Sequence, residues 1–144
     1  MPGSSCPATQ SRDEAACIRL CVDFANHIDA RRYAALLDLF TEDGALDRMG
    51  TVMTGRPAIG RFLEGRSRDV ATRHLCTNFR VEFRSPDEAT GFCYALFFQG
   101  TGEKADEPAT LSGSPSVVEY RDRYRRTPEG WRIGERKIRM AMRP

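Results

Sequence analysis

The chain has 144 residues, 40% of them hydrophobic, and a formal net charge of +2. That length holds one ordinary domain and not two, the apolar share supports a real core, and the near-neutral charge excludes a strong whole-molecule field for nucleic acid or membrane. No apolar run approaches the ~20 residues a membrane span needs. Residues 1–10 are small and polar and lack the apolar centre of a signal peptide. They read as a disordered leader, followed by a single domain over residues 11–144. Ser11 and Glu14 have capping-box spacing, which predicts a helix from about Arg12. Cys17, Leu20, Cys21, Phe24 and Ile28 then recur at three- and four-residue steps as one apolar stripe, with Asp29 at its end.

A second, shorter helix is predicted over Arg32–Phe40, closed by the turn residues Thr41-Glu42-Asp43-Gly44. Ala45–Met53 reads as one or two short strands around Gly50. Gly55-Arg56-Pro57 opens a third helix, with Pro57 suited to its first turn and Ile59, Phe62 and Leu63 inward. From about Thr72 the period becomes two: Phe79, Val81 and Phe83 alternate with Arg80, Glu82 and Arg84. A second strand runs over Ala89–Gln99. The Gly-, Pro- and Ser-rich stretch from Thr101 to Pro115 reads as a mobile connection, placed to act as a lid. Ser116–Arg126 and Trp131–Met142 are two further strands joined by the turn Thr127-Pro128-Glu129-Gly130, with Trp131 a core anchor. Helices first and a meander afterwards give an α+β fold: a curved, mostly antiparallel sheet forming a cone-like half-barrel, capped by three N-terminal helices. Such a sheet leaves an internal cavity for one small ligand.

From Ser116 to the C-terminus there are 9 Lys and Arg against 4 Asp and Glu, but they alternate with apolar residues and so spread over strand faces rather than forming a nucleic-acid patch. Arg80, Glu82, Arg84, Arg121, Arg123 and Arg125 make the outer sheet face polar, compatible with a wet homodimer interface. The five cysteines contain no C-x-x-C pair and read as small, reduced residues of a cytoplasmic protein. With two histidines in the chain, no metal site is expected.

The stretch "CVDFANHIDARRYAALLDLFTEDGAL" (21–46) resembles the opening of SnoaL-like proteins. "GRPAIGRFL" (55–63), "TRHLCTNFRVEF" (72–83) and "YRDRYRRTPEGWRIGERKI" (120–138) resemble that family's third helix, its His-bearing strand and its closing hairpin. The wider group includes scytalone dehydratase, ketosteroid isomerase, hexachlorocyclohexane dehydrochlorinase, polyketide cyclases, the nuclear transport factor fold and small subunits of ring-hydroxylating dioxygenases. The resemblance implies a cone-like sheet capped by helices, no cofactor, and a catalytic pair in which an Asp at the end of the first helix orients a His base. Asp29 and His74 match those positions. Scytalone dehydratase also has two Tyr and a second His, which align here with Ile28, about Arg48 and about Gln99. The scytalone substrate is therefore not implied, while the pair is kept.

Two readings stay open for the pair. A carboxylate on a histidine ring fixes its tautomer and stabilises the imidazolium, which makes proton abstraction feasible. Alternatively, Asp29 caps the second helix and His74 is a satisfied core histidine. Strict alternation groups His74 with Cys76, Asn78 and Arg80. It therefore reaches a cavity if the start of the strand turns its even positions inward, or if a bulge resets the phase; the former is expected. Phe24, Phe62, Tyr94, Tyr120, Arg139 and Met140 are the expected substrate-contacting residues. The function expected is that of a lyase or isomerase on a small, mostly apolar cyclic or polyketide-like molecule. A binding protein without turnover and an accessory subunit of a ring-hydroxylating oxygenase are the rivals. The chain lacks the Cys and His pairs of a Rieske centre, so it could not carry oxygenase redox chemistry alone.

Overall fold

The computed structural model describes residues 6–144. Helix α1 (Pro7–Asp29) starts five residues before the expected Arg12, because Pro7 supplies the preset φ of a first helical position. Residues 7–10, read as leader, are thus helical, and 1–5 lie outside the described residues. Ser11 does not cap; its hydroxyl donates to the Pro7 carbonyl at 3.1 Å, one turn back. The stripe Cys17, Leu20, Cys21, Phe24 and Ile28 is buried as its spacing requires.

Helix α2 is only Tyr33–Leu37. Thr41–Gly44, read as its closing turn, instead lies within β1 (Phe40–Arg48), which runs parallel to the last strand. Tertiary pairing overrides the turn chemistry here, and Gly44 permits it: a Cβ at that position would stand 3.0 Å from the Thr41 carbonyl oxygen and 3.1 Å from that of Ile133. β2 (Thr51–Thr54) pairs back on β1 across Met49-Gly50, and α3 (Arg56–Glu64) follows with Ile59 and Leu63 buried.

Four long strands complete the sheet: β3 (Val70–Ser85), β4 (Glu88–Thr101), β6 (Ser116–Thr127) and β7 (Gly130–Met142). The short β5 (Thr110–Leu111) holds the expected mobile stretch to β4 through Gly100 and Thr101, so that stretch is partly pinned to the sheet. The order is β2-β1-β7-β6-β4-β3, antiparallel throughout except β1 with β7. The sheet is curved and unclosed, and the helices cover its concave side, α1 lying against β3 and β7. Phe24 meets Phe40 and Tyr120 edge-on, both at 6.1 Å between ring centres.

Two bulges decide which side chains face inward. In β3, Thr77 pairs with Tyr94 and Arg80 with Phe92, so β3 carries one residue more than β4 across that interval. Asn78 takes a left-handed φ of 59° there. Thr72, His74 and Cys76 face the concave side before the bulge, and Phe79, Val81 and Phe83 face it afterwards. The expected inward turn of the strand start is thus replaced by a phase reset. In β7, Gly134 is the extra residue between the Ile133–Tyr124 and Glu135–Arg123 pairs, which brings Arg136, Ile138 and Met140 inward after Trp131 and Ile133.

The second bulge buries a charge. Arg136, 0% exposed, donates to both carboxylate oxygens of Asp122 at 2.8 and 2.7 Å, and the Tyr124 hydroxyl donates to the same carboxylate at 2.7 Å. The guanidinium lies 4.4 Å from the Phe24 ring centre and 4.2 Å from that of Tyr120, favourable cation–π geometry. Burial disfavours the cation, but the Asp122 carboxylate outweighs it and holds the Arg136 pKa well above its ordinary value. Trp131 is anchored as expected, its indole N–H donating to Asp13 of α1 at 3.0 Å.

Because Asn78 sits at positive φ, Asn78→Gly should leave stability in urea nearly unchanged, whereas Asn78→Val should lose about 1–2 kcal/mol. Deleting Asn78 leaves His74 and Phe83 an even number of residues apart, so a regular period-two strand carries both inward without a bulge and the variant should stay folded. Inserting a residue elsewhere between Cys76 and Val81 should instead destabilise the fold, and an unfolded deletion variant would contradict the phase argument.

Candidate active site

The concave side encloses a cavity of about 600 Å³. Its wall is mostly apolar: Phe24 and Ile28 come from α1, Leu46 from β1, Phe62 from α3, and Val118 and Met140 from β6 and β7. His74 projects into it from β3, and the Phe97 ring packs on the imidazole at 4.9 Å between centres.

Asp29 holds that histidine. Its Oδ1 lies 2.6 Å from His74 Nδ1, and its Oδ2 accepts the His74 backbone N–H at 2.8 Å. The Thr72 hydroxyl donates to Oδ1 at 2.8 Å. Both side chains are nearly buried, with 10% exposure at His74 and 13% at Asp29. Burial pushes the Asp29 pKa up. The hydrogen bond and charge of His74, its backbone N–H and the Thr72 hydroxyl outweigh this and hold the carboxyl below its ordinary value. Arg66 braces the surroundings, donating to the Ile28 carbonyl at 3.0 Å, the Tyr33 hydroxyl at 3.0 Å and the Thr72 hydroxyl at 3.1 Å. The capping alternative does not hold: α2 has Arg32 at its N-cap and no side-chain cap bond.

Of the expected ligand contacts, Phe24, Phe62, Tyr120 and Met140 line the cavity. Tyr94 and Arg139 do not. Tyr94 stands between the inward-facing Cys93 and Ala95, so it points to the outer face and packs edge-on with Phe92 at 5.3 Å. Arg139 precedes the inward Met140, so it too points outward, 3.5 Å from Glu119. Adjacent strand residues face opposite sides, and that rule alone separates Arg139 from Met140. Ile28, Arg48 and Gln99, the positions that the resemblance aligns with the two Tyr and second His of scytalone dehydratase, all line the cavity. Sequence reasoning missed Phe97, although its parity with Cys93 and Ala95 marks it as inward. It also missed the buried Asp122, which shares parity with Val118, Tyr120 and Tyr124.

A carboxylate whose folded pKa is lowered contributes stability above its unfolded pKa of ~3.9 and loses it as pH falls through the folded value. Asp29→Asn should therefore be less stable than wild type by about 1–3 kcal/mol near pH 6. The gap should close as the pH drops below about 4. Urea titrations across that range test this; a gap independent of pH would contradict the ionised Asp29.

The sequence matches the SnoaL-like domain over residues 9–137. No curated protein matches it. Among solved structures, a candidate scytalone dehydratase from Novosphingobium aromaticivorans superposes with a TM-score of 0.80 at 23% identity, over 95% of this chain and 89% of that one. A hexachlorocyclohexane dehydrochlorinase of type 2 superposes with a TM-score of 0.81 at 19% identity, covering 94% and 90% of the two chains. A Mycobacterium tuberculosis protein of unknown function is similar at 29% identity and a TM-score of 0.77, over 96% of this chain and 78% of that one. With the family matched over nearly its whole length, and with the curved sheet and helical cap of these structures, the chain belongs to the SnoaL-like domain family.

Proposed function

We propose that the protein is a cofactor-independent lyase or isomerase, in which His74 moves a proton on a small, mostly apolar cyclic or polyketide-like molecule. The observation that carries this reading is the 2.6 Å contact between Asp29 and His74 Nδ1 on a histidine that lines an apolar cavity. Asp29 occupies Nδ1, so Nε2 is the nitrogen left for a ligand. A neutral imidazole with its Nδ1 proton on Asp29 presents a bare Nε2, the form a general base needs. It can take a proton from carbon beside a carbonyl or beside a leaving group. The imidazolium formed is stabilised by the carboxylate, and Nε2–H can return the proton to a departing hydroxyl or to an allylic carbon. These two returns are dehydration and double-bond migration. The mostly apolar wall lowers the local dielectric and so strengthens each electrostatic contact. Two of the structural neighbours are described as elimination catalysts, a candidate dehydratase and a dehydrochlorinase, which supports the same class of chemistry here.

A second reading, binding without turnover, is favoured by one observation: the cavity positions that the resemblance aligns with the two Tyr and second His of scytalone dehydratase hold Ile28, Arg48 and Gln99. Proton exchange distinguishes the two. A panel of small cyclic and polyketide-like ketones incubated with the protein in D₂O should show enzyme-dependent exchange of α-protons by NMR. His74→Ala and Asp29→Asn should each slow it by about 10²–10⁴-fold. The double variant should be little worse than either single one, because the two groups act as a unit. Ligands that bind with no exchange would leave the binding protein in front, and exchange that survives His74→Ala would rule out His74 as the base.

A further inference from the structure

Away from the Asp29–His74 pair, three of the five cysteines converge. Cys21 comes from α1, Cys76 from β3 and Cys93 from β4, and their sulfurs all lie within 4.8 Å of one another. The sulfurs of Cys21 and Cys93 are 3.4 Å apart, and all three residues are free thiols. Cys21 is 1% and Cys93 2% exposed, while Cys76 is half-buried. Their surroundings are mostly apolar, with Ala95, Val118, Tyr120, Phe79 and Met140 packed around them, and the buried guanidinium of Arg136 stands beside Cys21. Val118, Tyr120 and Met140 are also cavity wall, so the thiols stand directly behind it. The cysteines are free and largely buried, as small reduced residues should be, but that reading does not require three sulfurs from three elements to meet.

The geometry suits one ion held by three sulfurs. Bonds of about 2.3 Å, as for zinc and thiolate, keep three sulfurs around one centre no more than about 4.0 Å apart. The widest pair must therefore close by about 1 Å, and by somewhat more around a pyramidal centre, whereas the Cys21 and Cys93 sulfurs are already at 3.4 Å.

Charge and ligand count choose among ions. Zinc takes a fourth ligand in a closed site, and among the described residues no His, Asp or Glu joins the group. Copper(I) with three thiolates leaves two negative charges in an apolar core, where an uncompensated charge is costly. The nearest candidate counter-charge, Arg136, is already neutralised by Asp122. A trivalent centre with three thiolates is neutral and adds no charge to the core.

We propose that Cys21, Cys76 and Cys93 form a binding site for trivalent arsenic, taken up from the neutral oxyacid arsenous acid as a three-coordinate thiolate. Three S–H bonds and three As–O bonds break, three As–S and three O–H bonds form, and three waters leave. Arsenic stays trivalent and no electron is transferred, so no oxidant or reductant enters.

The reduced full-length protein, incubated with sodium arsenite and desalted, should retain one arsenic per chain, seen in native mass spectra as one arsenic in place of three hydrogens. X-ray absorption at the arsenic edge should show three sulfur neighbours and no oxygen. Cys6→Ser, at an exposed thiol outside the cluster, should keep that stoichiometry. Cys76→Ala, the mildest truncation within it, should retain none while keeping the wild-type circular dichroism spectrum. Should that variant not fold, the absorption spectrum of the wild type decides alone. No arsenic on the wild-type chain, an arsenic with oxygen neighbours, or full retention by folded Cys76→Ala would overturn the proposal.

Discussion

One additional residue in β3 sets the phase of the interior. A period-two strand cannot place both His74 and Phe83 on the same face, since they lie an odd number of residues apart. The bulge at Asn78 removes that conflict by letting two β3 residues oppose one of β4. After it, Val81 and Phe83 pack on the core that holds Trp131 and Tyr124, and Phe79 packs with Cys21, Cys93 and Ala95. Before it, Thr72, His74 and Cys76 turn toward α1, where Asp29 and Cys21 meet them. His74 beside Asp29 and Phe83 in the core thus share the concave side through one local irregularity.

The position of Asp29 follows from the helix it ends. The stripe of α1 from Cys17 to Ile28 is buried against the sheet, and Asp29 is the first residue beyond it. Its carboxylate reaches the start of β3 and accepts from the Thr72 hydroxyl, the His74 backbone N–H and the His74 ring. A nearly buried carboxylate costs free energy unless its lone pairs are satisfied. Here each oxygen has a donor, and Arg66 fixes both the Thr72 hydroxyl and the Ile28 carbonyl beside it. The orientation of the imidazole is therefore imposed by the fold before any ligand arrives, the preorganisation that a proton-transfer site requires.

Much of this was legible in the residues, and the failures have physical reasons. The helical stripe of α1, the order of elements and the Asp29–His74 pairing could be read because each depends on local period or on family resemblance. The start of α1 was misplaced since Pro7 is as good an opening signal as the Ser11–Glu14 spacing. Thr41–Gly44 carries turn residues, yet pairing with β7 makes it strand; no local pattern reports a parallel partner some ninety residues away. Tyr94 and Arg139 were expected at the ligand although their neighbours' parity places them outside. The convergence of Cys21, Cys76 and Cys93, and the burial of Arg136, had no signal in spacing. They arise only when three elements pack and when Gly134 shifts the phase of β7.

The central claim is that Asp29 fixes the proton of neutral His74 on Nδ1 and leaves Nε2 bare toward the cavity. Nitrogen-15 NMR of the histidine side chains reads this directly, with His74→Ala assigning the signals. The account predicts a protonated Nδ1 and an unprotonated Nε2 in the neutral ring, with Asp29→Asn disturbing that preference. A His74 whose neutral form carries its proton on Nε2 would present a donor rather than a base to the cavity, and would contradict the account.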